Sequence, residues 1–290
     1  MQDEPNAIST ALSLVLLLGS GLAWATIGRR LARREAPIPF EPRGGLPFSG
    51  VEVVLLLLFY LLGEIVAQAA LERWTAYEPG TVSRELLFAQ AAARAGWLVV
   101  ASAYLFTKTG GRADTFGWDF RQLGRDAGLG IAVFFAAAVP VFAVQVFFVF
   151  GLGIKSEHPA IKLTQDEPSL AMLAAISVVV VGVAPLFEEF VFRVLLQGWL
   201  EAWQTTLRSF GDADDSAPRP GYAPLVVVSL LFGALHGGHG PDPVAIFVLS
   251  LFLGYAYRQT HRIVPSLVAH ACLNGWTMVN LWIAMWSESV

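Results

Sequence analysis

Residues 170–203 read LAMLAAISVVVVGVAPLFEEFVFRVLLQGWLEAW. A helix rises 1.5 Å per residue and needs about 20 mostly apolar residues to cross a bilayer core. This stretch is longer than one crossing and carries no charge before Glu188. It then sets Glu188, Glu189 and Arg193 among Phe, Val and Leu. An amphipathic helix of a soluble domain would interleave polar residues at every turn. The segment therefore reads as a membrane span with ionisable groups inside it. Pro185 lacks a backbone donor, which predicts a helix broken or kinked near that residue.

Outward from this segment lie seven further apolar runs, at about 7–27, 49–71, 86–106, 129–150, 223–235, 244–257 and 263–286. The fold class expected is all-α: a polytopic transmembrane bundle of about eight spans around a polar cavity, forming one integral domain over 1–290. Arg29, Arg30, Arg33 and Arg34 follow the first run, Lys108 and Arg112 the third, and Arg258, His261 and Arg262 the seventh. By the positive-inside rule these connections are cytoplasmic, and both termini are then non-cytoplasmic. A basic cluster after the first run is the reverse of a cleavable signal peptide. Glu52 and Glu64 in the second run must face protein, water or an interface. The aromatic, charged segment TFGWDFRQLGRD (115–126) reads as interfacial. The loop 155–168 is expected to be external.

Composition agrees. Of 290 residues, 55% are hydrophobic and 14% charged, against about 25% charged in soluble domains. Mean hydropathy is +0.58. A net charge of -4 argues against nucleic acid as a partner. The single cysteine, Cys272, can form neither an internal disulfide nor a cysteine-based zinc site, and reads as a small buried hydrophobe.

Ionisable groups inside apolar runs are costly and point to function. Three clusters qualify. In PLFEEFVFR, adjacent Glu188 and Glu189 point about 100° apart on a helix. Glu189 and Arg193 are spaced i,i+4 and can pair, leaving Glu188 for another partner; the other reading has both glutamates sharing Arg193 in packing. In SLLFGALHGGHG, His236 closes an apolar helix, as a catalytic group or a hydrogen-bonded structural one; His239 reads as a loop residue. In PSLVAHACLNGW, His270 and Asn274 share a helix face, as chemical groups or as an interhelical hydrogen-bonding pair. Nothing is read into His158 and His261. If the clusters converge on one wet cavity, a carboxylate and an imidazole can hold and deprotonate water, while a second imidazole and an amide can stabilise an oxyanion. That is a kit for hydrolysing an amide bond within a membrane.

These residues resemble the motifs of the CPBP intramembrane endopeptidases, a family that includes the type II CAAX prenyl proteases and the Abi-type, bacteriocin-processing proteins. The resemblance covers 170–276. EExxxR corresponds to Glu188, Glu189 and Arg193, FxxxH to Phe232 and His236, and HxxxN to His270 and Asn274. Many family members have glycine after the motif arginine, where this chain has Val194, a difference in helix packing. The resemblance implies Glu188 as general base, His236 as its partner on the water, His270 and Asn274 as oxyanion stabilisers, and Glu189 with Arg193 as a supporting pair. The family is often labelled metalloprotease, and Glu188, His236 and His270 would be the zinc ligands. HExxH is absent, and metal-free water activation by the same residues is the preferred reading. Expected partners are membrane lipid and a membrane-associated peptide or protein substrate. The alternative is a transporter or a proton- or ion-binding membrane protein using the same groups.

Overall fold

The computed structural model describes residues 7–42, 44–74, 83–154, 169–209, 219–237 and 242–288. Eight helical rods run through them, and the described residues contain no strand. They are α1 (Ala7–Ala32), α2 (Gly50–Trp74), α3 (Arg84–Lys108), α4 (Leu123–Val146, continued by a π-helical turn Phe147–Gly151), the composite rod α5, then α6 (Ala223–Ala234), α7 (Asp242–Thr260) and α8 (Ile263–Glu288). Five, α1 to α5, are long and apolar enough to cross a membrane. Their outer faces carry exposed Leu and Val, such as Leu18, Leu22, Leu55 and Val99. Such faces suit lipid and not water. The chain is an integral multi-pass membrane protein. His158, His239 and the loop 155–168 lie outside the described residues.

Of the expected break or kink near Pro185, the break does not occur. Leu170–Val178, Val179–Val183, Ala184–Glu189, Phe190–Gln197 and Gly198–Ser209 follow one another without interruption to form α5. The second and fourth pieces are π-helical. Widening the register to i→i−5 ahead of Pro185 accommodates the missing donor without ending the helix. Ser169 caps the start, its hydroxyl accepting from the N–H of Met172 at 3.1 Å.

The segment 115–126 leads into α4. It forms two 3₁₀ turns, Ala113–Phe116 and Phe120–Gln122, and its last four residues are already the first turn of α4. Asp126 is fully buried there. Gly117 joins the turns with φ of 100°, a left-handed conformation that glycine adopts without Cβ strain. Val194 Cγ2 lies 3.5 Å from the position a Cβ would take on Gly117, so this side chain fills space beside the turn.

α4 packs most extensively on α8, and also on α7 and α1; α2 pairs with α3, and α6 with α7. α5 sits among α3, α6 and α8. An aromatic knot of Tyr60, Trp97 and Phe187 joins α2, α3 and α5, with centroids 4.6 Å apart for Tyr60–Phe187 and 5.4 Å for Trp97–Phe187. Cys272 packs against the core shared by α1, α4, α7 and α8. Glu64 faces Arg94 across α2 and α3 at 3.8 Å, while Glu52 meets Lys108, Tyr104 and Ser49.

The close approach of α4 to α8 depends on Gly130. A Cβ there would fall 2.6 Å from Val268 Cβ and 2.7 Å from the carbonyl oxygen of Pro265, a backbone atom that cannot step aside. Gly130→Ala is expected to destabilise the bundle by about 1–3 kcal/mol through overpacking. Gly128→Ala, where a Cβ meets nothing within 4 Å, should not destabilise it. Equilibrium unfolding of the two variants in mixed micelles checks this.

Basic connections gather at one end of the bundle. Gln259 accepts from the Glu41 N–H at 2.8 Å and donates to the Ile38 carbonyl at 2.6 Å. Arg262 donates to Asp126 at 2.7 Å and also binds Glu41. The hydrogen bond from Arg262 holds the Glu41 carboxyl below its ordinary value of 4.5, against a smaller upward push from burial. Ile263 N–H donates to the Gly117 carbonyl at 2.9 Å. The connections α1–α2, α3–α4 and α7–α8 therefore share a face, as alternation across a membrane requires. His261, which carried no reading in the sequence, is buried at this end with φ of 53° and packs edge-on against Phe40.

Candidate active site

Helix lengths bring the three motifs to a common depth. α6 starts at the polar end, where Arg258 donates to the carbonyls of Pro220 and Gly221. It has 12 residues and rises only about 18 Å before it delivers His236. His270 lies about 10 Å along α8 from the same end, and Glu189 about 18 Å along α5 from Glu201, which faces His261. Each lies closer to that end than the thickness of a hydrocarbon core, about 30 Å.

Glu189 and Arg193 form the expected i,i+4 pair. Arg193 Nε donates to Glu189 Oε2 at 3.1 Å, and neither side chain is exposed at all. Nothing in water can stabilise a guanidinium there, so its other donors must be matched within the protein. They are: Nη1 to Gln197 at 3.2 Å and Nη2 to the hydroxyl of Ser250 at 2.7 Å. Gln197 in turn donates to Glu201 and to the Gly254 carbonyl, both at 2.8 Å. The guanidinium also lies over the Phe232 ring, 5.6 Å from its centroid. Gln197, Glu201 and Ser250 carried no reading in the sequence. Residues 189, 193, 197 and 201 do repeat at i,i+4, and that polar stripe could have revealed the first two; a lone serine in an apolar run gives no such signal.

The adjacent glutamates have separate surroundings joined by His270. Its Nδ1 lies 2.9 Å from Glu189 Oε1, and its Nε2 lies 3.7 Å from Glu188 Oε2. Glu189 is already held by Arg193 and is fully buried; the Glu188 side chain keeps 17% exposure. A carboxylate only accepts, so His270 donates through Nδ1 and turns Nε2 toward Glu188. Glu188 is thus the glutamate with open space before it.

His236 and His270 share one aromatic neighbour, Phe232. The His236 ring lies 5.0 Å from Phe232, and His270 lies 5.9 Å from that same ring. His236 Nδ1 sits 2.8 Å from the Phe232 carbonyl, so Nδ1 carries the proton and Nε2 remains an acceptor. Asn274, one turn beyond His270, donates through Nδ2 to the Val180 carbonyl at 2.9 Å. Beside it lies an apolar cleft of about 530 Å³ between the first π-helical piece of α5 and α8, lined by Val181, Gly182, Gly275 and Met278 among others.

Zinc requires three converging protein donors with an open fourth position. Among the described residues, no group of three or more His, Cys, Asp or Glu side chains is disposed to hold a metal ion. Among the described residues Glu188 and His270 make a pair without a third ligand, and these residues as placed do not fit a zinc site.

Comparison with known proteins bears on this stretch. Residues 170–276 match the family model described as type II CAAX prenyl endopeptidase Rce1-like. The likeness is to that description, over 107 of the chain's 290 residues. The Rce1-like region takes in α5, α6, α7 and α8 as far as Trp276, and so includes each motif described above; α1 to α4 lie outside it. Comparison with the curated proteins and with the solved structures gives no match.

Proposed function

We propose that the protein is an intramembrane endopeptidase that hydrolyses a peptide bond of a membrane-associated substrate with a water activated by Glu188. The observation that carries this reading is the division of labour between adjacent glutamates. Glu189 is locked to Arg193 and His270, while Glu188 faces His270 from a partly open position.

In the proposed reaction Glu188 takes a proton from water as the oxygen attacks the scissile carbonyl carbon. His236, with Nδ1–H fixed on the Phe232 carbonyl, offers Nε2 as a second acceptor on that water. The tetrahedral oxyanion needs a donor, and His270 Nε2 can serve only if the ring is protonated at both nitrogens. Two carboxylates and one guanidinium surround that ring, so an imidazolium brings the group to neutrality. Collapse breaks the C–N bond, and Glu188 returns its proton to the leaving amine. Each step uses this chain's own side chains. The apolar cleft beside Asn274 offers a lateral route for an apolar part of the substrate. The basic connections after α1, α3 and α7 favour a cytoplasmic face at that end, with both termini opposite.

The test is cleavage by the purified protein, reconstituted in liposomes, of membrane-anchored peptides with and without a prenyl group, read by mass spectrometry. A defined internal cut supports the reading. No cut with either peptide, together with proton flux that Glu188→Gln blocks, would replace it with the transporter alternative.

A further inference from the structure

We propose that Glu64 and Arg94, facing each other across α2 and α3, bind the main chain of an extended substrate peptide beside the cut. The inference rests on the endopeptidase reading, and its experiment separates the failure of one from the failure of the other.

Two arginines lie deep in the bundle, and their surroundings differ. Arg193 is fully buried and matches its nitrogens with Glu189, Gln197 and Ser250. Arg94 has no such set. Its Nε lies 3.8 Å from Glu64 Oε1, too far for a hydrogen bond, and both atoms are buried without a hydrogen-bond partner among the described residues. The Tyr60 hydroxyl faces both groups. The pair is not closed off, because Arg94 keeps 28% of its side chain exposed and Glu64 keeps 18%. A guanidinium carries five donors and a carboxylate only accepts, so both groups keep capacity that the pair leaves unused.

Depth and charge narrow the ligand. Arg94 is ten residues from Arg84 and fourteen from Lys108, so about 15 and 21 Å from the ends of α3. Glu64 sits at the matching place in α2, fourteen residues from Gly50 and ten from Trp74. Half a hydrocarbon core, about 15 Å, separates this level from lipid phosphates. Partly open ionisable groups at such a depth mark a polar path or a substrate site. The pair is neutral as a whole. A free carboxylate would be repelled by Glu64, whereas a peptide main chain offers an N–H to Glu64 and a carbonyl to Arg94. A substrate drawn into the bilayer needs both, because unmatched amides are costly in hydrocarbon. The described residues contain no strand whose edge could pair with it, so side chains must do the matching.

The pair also stands next to the catalytic rod. Arg94 Cζ lies over the Phe187 ring, 5.6 Å from its centroid, and Tyr60 packs on the same ring at 4.6 Å. Phe187 is the residue before Glu188, and α3 packs against the piece Ala184–Glu189 that carries both. A chain lying across Phe187 therefore runs from the pair toward Glu188.

The experiment uses the full-length protein in liposomes and a membrane-anchored peptide, with versions N-methylated at one main-chain nitrogen at a time on either side of the cut. A single substitution would strand a charge, so the variant is Glu64→Leu with Arg94→Met, which replaces both groups by apolar ones. In the wild type, N-methylation at one or two positions should raise KM about tenfold, the loss of one charge-assisted hydrogen bond. The double variant should bind the parent peptide about tenfold more weakly, read as KM, and should no longer distinguish those N-methylated peptides from it. Its unfolding midpoint should not fall. A lowered midpoint with the N-methylation profile intact would make the pair a structural clamp and overturn the proposal. A KM effect seen only when the peptide ends in a free carboxylate would overturn it too. A photoreactive residue at a sensitive position should crosslink to α2 or α3 of the wild type, and excess parent peptide should suppress the crosslink. Crosslinks that avoid both helices contradict the proposal, and this result stands even if the double variant does not fold. If the wild type cleaves no peptide, the endopeptidase reading fails, while the crosslink from the middle of the peptide still decides the site.

Discussion

Glu188→Gln is expected to lower kcat about 10²–10⁴-fold, the usual contribution of a positioned general base, and to leave the unfolding midpoint where it is. The asymmetry follows from the surroundings. Glu188 holds no ion pair with Arg193 and keeps 17% of its side chain exposed, so an isosteric amide costs the fold little. It removes the carboxylate that the proposed reaction uses to take a proton from water in front of His270. Glu189→Gln should behave the opposite way. It removes the charge that Arg193 and His270 both use, and its first effect should be on stability. Single-turnover cleavage and unfolding midpoints, measured on both variants in the same liposomes, check the contrast.

Arg193→Met is expected to destabilise the protein by about 3–5 kcal/mol, the cost of leaving a buried charge without its partner. Glu189 would remain ionised or would have to take up a proton, with no water to help. Gln197 and Ser250 would each lose the donor they accept from. Arg193→Lys should fail almost as badly, because an ammonium cannot reach three acceptors in the planar directions that the guanidinium serves. Adding Glu189→Gln to Arg193→Met removes the stranded charge and should recover part of the loss. Equilibrium unfolding in mixed micelles measures all three.

These expectations show what was legible in the chain alone. Bilayer crossing is a one-dimensional property of hydropathy and length, so the eight rods stood out as eight runs. Boundaries were less secure: α4 begins at Leu123, well before its apolar run, because a 3₁₀ turn hands over directly to it. Pro185 pointed to a break or a kink, and sequence gives no sign that the preceding turn would widen its register and keep the helix continuous. Within the site, Glu189 and Arg193 were readable because helix spacing alone makes them meet. The contact between Glu188 and His270 was not, for it depends on how α8 is rotated against α5. The same holds for Asn274, whose acceptor is a backbone carbonyl with no signature in the side-chain pattern. Ser250 was invisible for that reason too: its importance comes wholly from the guanidinium that reaches it.

The central claim is that Glu188 on α5 and His236 in the turn after α6 act on one water. A double-mutant cycle of Glu188→Gln and His236→Ala on kcat tests it most directly. Groups sharing one water should be non-additive, so the double variant should cleave no more slowly than the worse single variant. Losses that multiply, or a His236→Ala protein cleaving at the wild-type rate, would contradict it.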